Sequence, residues 1–199
     1  MKKLHKKATV SLAIALFVLM GVGTYGILRG NTDTAPATTS DQANAPKSTN
    51  ESVPSPTSAK KTTEDQLLYL IEEEKLAHDV YTVMHQKYGA NVFGNILQSE
   101  TTHQSRVLTL LQARAIADPR STELGVFKNQ ELQDLYNQLI KQGEQQASEA
   151  YKVGVIIEEK DIADISTQLA TATDEDIIQT LESLREASEN HLRAFNRQL

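Results

Sequence analysis

The sequence predicts an all-α fold, a four-helix bundle, for residues 63–199 of this 199-residue chain. Apolar residues recur in this part at steps of three and four, as in amphipathic helices, and no stretch alternates like a half-buried strand. Proline occurs there only at position 119, so little interrupts a helix. Cysteine is absent from the whole chain, which excludes disulfides, thiolate nucleophiles and cysteine-bound zinc or iron–sulfur clusters.

Two long helices are predicted in the first half of this domain. Thr63 and Gln66 resemble a capping box at the start of the first helix, and Gly89 is expected to end it. The second helix is predicted from about Val92 to Ala115, because the following 118–119 Asp-Pro pair does not continue a helix. Their inward apolar residues are predicted to be Leu67, Leu70, Ile71, Ala77, Tyr81, Met84, Phe93, Ile96, Leu97, Val107, Leu110 and Leu111.

A long connection and two further long helices are predicted in the second half. The connection carries a short helix from about Gln130 to Ile140, which Gly143 breaks. The third long helix covers roughly 145–170, and the fourth follows Thr173 as N-cap, with an acidic first turn. Their inward apolar residues are predicted to be Ala147, Tyr151, Val155, Ile162, Ile165, Ile177, Leu181, Leu184 and Phe195. The long connection can return the chain along the bundle, as in a ferritin-like topology with one crossover.

The first 62 residues predict a membrane segment and a spacer. Lysines precede an apolar run over 8–28, which is long enough to cross a bilayer. A signal peptide has a shorter apolar core of about 7–15 residues and a small-x-small cleavage site, so we favour an uncleaved anchor over 1–30. Residues 31–62, rich in Ser, Thr, Pro, Ala and Asn, predict a disordered stalk. The domain is therefore expected outside the cell membrane, tethered to it, or secreted if the segment is cleaved.

Charge limits the expected partners of the domain. Residues 63–199 contain 12 basic and 23 acidic residues, a net charge of −11, whereas the whole chain has −6. Such an acidic surface disfavours nucleic-acid binding. The sequence leaves the oligomeric state open, with a dimer as one arrangement.

Polar residues interrupt each predicted apolar stripe near the middle of its helix. The helical spacing turns Glu100 and His103 inward together on the second helix. The corresponding inward polar residues on the other three helices are Glu74, Glu158, Asp161, Ser188 and His191. Buried carboxylates must be paired, protonated or bound to metal, because an unpaired one costs several kcal/mol. Carboxylates and imidazoles at one level of a bundle form a dimetal-type ligand set.

Several of these assignments have alternatives. Glu73 also lies near the first stripe and Glu159 lies beside Glu158, so either neighbour could be the inward residue. The Glu run over 72–74 could equally be a solvated face, and each histidine alone could be a hydrogen-bonded core residue. His78 and His85 are expected at the surface or rim.

A glycine lies one turn before Glu158. Gly154 could leave room for a ligand or permit close helix packing.

The same residues resemble known proteins. The stretch Glu74-Lys-Leu-Ala-His-Asp-Val-Tyr81 resembles the first ligand helix of rubrerythrin-type proteins, and Glu100-Thr-Thr-His103 resembles their second-helix motif. The whole domain is similar to the DUF2202 family, an uncharacterised ferritin-like group. The matching stretches are 72–81, 93–96, 99–103, 125–127, 157–162 and 188–195. The resemblance implies a ferritin-like bundle with a metal site, but no settled activity.

The fourth helix departs from a full di-iron pattern, which has a carboxylate three residues before the histidine. Here Ser188 occupies that position. Asp161 or Glu159 on the third helix could supply the carboxylate, and Glu189 is a weaker substitute. Otherwise the site holds one metal, or two with open water positions.

The expected function is therefore metal binding in the bundle core, with oxidase or peroxidase activity as an extension. Oxygen and nitrogen ligands suit iron or manganese, and zinc could also occupy the site. Tyr81 and Ser188 are expected to contact the ligands rather than the metal. The alternatives are a module that sequesters or senses metal without turnover, and a metal-free structural or interaction domain.

Overall fold

The computed structural model describes residues 62–199, which form five helices and no strand. The helices are α1 (Thr63–Tyr88), α2 (Asn91–Ala113), α3 (Gln130–Gly143), α4 (Ala147–Leu169) and α5 (Glu175–Asn196). The all-helical prediction is confirmed, and the helices form a bundle-like arrangement. Within 62–199 no helix is both long and apolar enough to span a bilayer. The predicted anchor and nearly all of the predicted stalk lie outside the described residues.

The ends of the helices are set by local capping. The capping box of α1 uses Thr62 and Asp65, not Thr63 and Gln66: the Thr62 hydroxyl accepts the Asp65 N–H, and the Asp65 carboxylate accepts the Thr62 N–H. Both pairs have the three-residue spacing of a capping box, so the sequence did not distinguish them, and the prediction was wrong by one residue. Gly89 ends α1 as predicted, with a left-handed φ of 65° that favours glycine.

The start of α5 also differs from the prediction. Asp174, not Thr173, is the N-cap residue, and its side chain makes no capping hydrogen bond. Its carboxylate instead accepts a hydrogen bond from the Arg114 guanidinium at the end of α2, at 3.1 Å. The start of α5 is therefore held to the end of α2 by an ion pair.

Four long helices enclose the core in two closely packed pairs, α1 with α2 and α4 with α5, while α3 packs on α1 and α4. The core divides into two clusters. The aliphatic cluster comprises Leu67, Leu70, Ile71, Val107, Leu110, Leu111, Ile165, Ile177, Leu181 and Leu184. The aromatic cluster includes Tyr81, Met84, Phe93, Ile96, Val153, Ile157 and Phe195.

The inward face of α4 is rotated from the predicted one. Tyr151, Val155 and Ile162 are only half-buried. The buried apolar residues of α4 are instead Ala150, Val153, Ile157 and Ile165. α4 contacts α1 and α3 as well as α5, so its buried stripe is wider than the single seam that spacing predicts.

One polar face of α1 holds the connection between α2 and α3. The buried Glu72 carboxylate accepts the N–H of Lys128 at 2.7 Å and the N–H of Asn129 at 3.0 Å. Asp79 accepts the N–H of Gly125 at 2.8 Å and pairs with Lys75. The run 72–74 is thus buried, and its interpretation as a solvated face is wrong.

Candidate metal centre

The polar residues of the four long helices meet in a layer between the two apolar clusters. Glu74, Glu100 and His103 form one triad whose candidate ligand atoms all lie within 4.8 Å of one another. Glu100, Glu158 and His191 form a second triad of the same kind. All five side chains are buried, and Glu100 belongs to both triads.

The two oxygens of Glu100 face different histidines. Its Oε2 lies 3.2 Å from Nδ1 of His103, and its Oε1 lies 3.0 Å from Nδ1 of His191. The outer carboxylates complete each side: Glu74 Oε2 is 3.1 Å from His103 Nδ1, and Glu158 Oε2 is 3.5 Å from His191 Nδ1. The imidazole rings lie 5.6 Å apart, so the arrangement is nearly symmetric about Glu100.

Three further residues support this layer. The Tyr81 hydroxyl donates to Glu158 Oε1 at 2.6 Å. The Ser188 hydroxyl donates to Asp161 Oδ2, so serine at the usual carboxylate position faces a carboxylate from the neighbouring helix. Asp161 is buried beside the triads but belongs to neither.

Buried atoms of this layer have unsatisfied hydrogen-bonding capacity. Within residues 62–199, the side-chain atoms Glu74 Oε1, Glu100 Oε1, Asp161 Oδ1 and His191 Nδ1 are buried without a hydrogen bond. Glu100 Oε1 and His191 Nδ1 are close, but their angles do not form a hydrogen bond. Such groups are costly in a protein interior. Because they are oxygens and an imidazole nitrogen, the donor set fits iron, manganese or zinc.

Without metal, four of the five groups in the two triads bind protons more tightly than usual, whereas Glu100 binds its proton less tightly. Burial raises the pKa of Glu74 to about 8 and that of Glu158 to about 7, against the influence of their histidine neighbours. Burial would also raise the pKa of Glu100, but its contacts with His103 and His191 lower it to about 2. Burial opposes protonation of the histidines, yet the carboxylates raise their pKa values to about 11 for His103 and about 9 for His191.

These pKa shifts predict that the metal-free protein loses stability as pH rises. Glu74, Glu158 and both histidines bind protons more tightly when folded. These four groups stabilise the fold fully at a pH below their ordinary pKa values, which are 4.5 for the two carboxyl groups and 6.5 for the two imidazoles. The stabilisation is lost as the pH rises through the raised pKa values. We expect the Tm of metal-free protein to fall between about pH 6 and about pH 10, as measured by circular dichroism.

A matched pair of variants separates this effect from general charge repulsion. Glu74→Gln should flatten the decline in Tm, because it removes a carboxyl of raised pKa and also one of the groups that raise the pKa of His103, whereas Glu159→Gln at an exposed position should leave the decline unchanged. A Tm that stays constant or rises over this pH range would contradict the prediction.

The structure distinguishes the neighbouring acids that the sequence left open. Glu73 belongs to neither triad and pairs with Lys160, whose Nζ is 2.7 Å from Glu73 Oε1. Glu74 is the acid that reaches His103. On α4, Glu158 is buried and Glu159 is exposed. The pairing of half-buried Lys160 with Glu73 was not predicted, because a lysine at the margin of a stripe carries no periodic signal.

Other candidate residues lie outside this layer. His78 and His85 are half-buried and in neither triad, as expected of rim residues, and Glu189 is exposed. Gly154 provides close packing and no ligand space, since a Cβ there would lie 2.6 Å from ring atoms of Phe195.

Comparisons with known proteins agree with this fold. A family model described as an uncharacterized protein domain (DUF2202) matches residues 63–199. The uncharacterized protein MJ0754 of Methanocaldococcus jannaschii is 41% identical over 134 residues, which cover 67% of this chain and 72% of that protein. The crystal structure of hypothetical protein MJ0754 from Methanococcus jannaschii has a TM-score of 0.68 at 38% identity, covering 74% of this chain and 85% of that one.

Proposed function

This chain belongs to the DUF2202 family, and we propose that its domain is a ferritin-like bundle that binds iron or manganese through the two triads. We propose further that the domain is exported and tethered by the apolar segment over 8–28, and that the bound metal reacts with dioxygen or peroxide. Neither export nor reaction with dioxygen or peroxide follows from membership of the family, because the relative named above is uncharacterised.

The order of the clusters along the helices supports a ferritin-like topology. α1 and α5 run from the aliphatic cluster to the aromatic cluster, whereas α2 and α4 run the other way. α2 and α4 are thus parallel, and residues 114–146 must carry the chain back along the bundle. A single long crossover of this kind is a feature of ferritin-like bundles.

One observation carries the metal proposal: two buried triads share Glu100, and buried oxygens around them have no hydrogen-bond donor. His103 and His191 would be terminal nitrogen ligands, and Glu100 would bridge. Glu74 and Glu158 would be the outer carboxylates, with Asp161 as an additional oxygen donor near the second triad. The Tyr81 hydroxyl would hold Glu158 in orientation. When bound, iron or manganese would supply the electrons that reduce dioxygen or peroxide.

The burial of the centre favours a second candidate, metal sequestration or sensing without turnover. The most exposed of the five ligand side chains, His191, has only 10% of its surface accessible. A centre so enclosed retains metal well but admits only very small reactants.

Metal analysis of the full chain tests the proposal. We expect up to two iron or manganese ions per chain, one for each triad, and a higher Tm with metal than without. Zinc in the same positions would support binding without redox chemistry. Absence of stoichiometric iron, manganese or zinc, with no change in Tm on adding them, would refute metal binding. Peroxide consumption by iron-loaded protein then separates an oxidoreductase from a sequestering module.

A further inference from the structure

Ser99 lies one turn before His103 on α2 and contacts this histidine without belonging to either triad. Its Oγ is 3.2 Å from Nε2 of His103, within hydrogen-bond distance. Nδ1 of the same ring is 3.1 Å from Oε2 of Glu74, on the side of the first triad. The imidazole of His103 is therefore held through both of its nitrogens, by the Glu74 carboxylate on one side and by the Ser99 hydroxyl on the other.

The other hydroxyl groups of α2 bond differently. Each of them donates to the backbone carbonyl four residues earlier, and they belong to Thr101, Thr102, Ser105 and Thr109. This local bond is common for serine and threonine within a helix. All four side chains are exposed, whereas Ser99 is half-buried and is the one hydroxyl residue of α2 that bonds to another side chain. The usual behaviour of a helical serine does not account for its contact with His103.

The partner of the second ring nitrogen matters when a histidine binds metal. A neutral imidazole that binds metal through one nitrogen carries its proton on the other, and the group that accepts this proton fixes the tautomer and the orientation of the ring. Half a turn of the His103 ring about its Cβ–Cγ bond would bring carbon atoms to the places of both nitrogens. Ser99 would then lose its partner, so the hydrogen bond opposes this rotation.

We propose that Ser99 is a positioning residue of the first triad: its hydroxyl accepts the Nε2–H of His103 and so keeps Nδ1 as the nitrogen that binds the metal. The inference rests on the proposed function, because it concerns a metal bound by the first triad, but metal binding does not require it. Partners that orient a metal-binding histidine contribute about 10–100-fold to metal affinity. Since His103 is the ligand to which the hydroxyl bonds, this contribution should belong to the first triad and not to the second.

Iron binding by the full-length protein tests the role of the hydroxyl. Dissociation constants for ferrous iron are measured without oxygen, by competition with a chelator. We expect Ser99→Ala to bind iron at the first triad about 10–100-fold more weakly and iron at the second triad as the wild type does. Ser99→Thr retains a hydroxyl and should retain both affinities. Ser105→Ala removes a hydroxyl of the same helix that bonds to the Thr101 carbonyl, and it should bind iron as the wild type does.

Two further variants identify the triad that is affected. Glu158→Gln disables the second triad, so adding Ser99→Ala should weaken binding of the iron that remains. Glu74→Gln disables the first triad, so adding Ser99→Ala should leave the remaining affinity unchanged. In zinc-loaded wild type, nitrogen NMR should show His103 bound through Nδ1 with a proton on Nε2. Alanine favours a helix more than serine does, so the variants should fold, as circular dichroism measures.

The outcomes separate this inference from the function on which it rests. No binding of iron, manganese or zinc would overturn both proposals. Metal binding with unchanged affinities in Ser99→Ala would overturn only the role of Ser99. That role would also be wrong if Ser99→Thr shared the loss, if the loss appeared equally in the Glu74→Gln protein, or if zinc bound Nε2 of His103.

Discussion

Glu100→Gln is expected to lose metal from both triads while the protein stays helical. The two carboxylate oxygens of Glu100 face different histidines, His103 and His191. Glutamine has the same shape but a single, neutral oxygen, so it cannot serve both triads or balance two cations. Loss of residues that merely orient ligands costs about 10–100-fold in metal affinity, so loss of the shared ligand should cost more than about 100-fold. Metal content after gel filtration, with circular dichroism for the fold, measures the effect.

The neighbouring acids provide graded controls. Glu74→Gln and Glu158→Gln should each remove metal from only one triad. Glu159→Gln changes an exposed residue next to Glu158 and should leave the metal content at the wild-type value. If Glu100→Gln keeps full metal content, the two triads do not share a ligand and the proposed centre is wrong.

Gly154→Ala is expected to destabilise the protein, although alanine normally favours a helix. A Cβ at this position would lie 2.6 Å from three ring atoms of Phe195, which is fully buried and held by Tyr81 and Phe93. Overpacking of this kind costs about 1–3 kcal/mol, which should exceed the ~1 kcal/mol that alanine gains over glycine within a helix. We expect a lower free energy of unfolding in urea at an unchanged m-value.

Two variants test the cause. Gly143→Ala would also bring a Cβ to 2.6 Å from a side chain, but that contact is the flexible end of Met84, so its cost should be smaller. Adding Phe195→Leu to Gly154→Ala should recover part of the lost stability. A Gly154→Ala protein as stable as wild type would show that the α4–α5 contact is looser than the structure indicates.

Periodicity predicted the helices because the pattern of buried positions repeats along a single helix. Leu67, Glu100 and His191 are all buried as their stripes require. The pattern gave the wrong face for α4 near Tyr151 and Val155, since that helix contacts three neighbours rather than one. It also did not separate Glu73 from Glu74. Adjacent residues differ by only about 100° around a helix, and both of these carboxylates are buried.

The sequence alone therefore determined the helical class, the family and the level in the bundle where polar residues interrupt the core. The tertiary structure decided which partner each buried acid has: Glu72 holds the connection before α3, Glu73 pairs with Lys160, and Glu74 reaches His103. Spacing along one helix reports only which way a side chain points. Its partner depends on where other helices place their side chains, and only the folded bundle brings those side chains together.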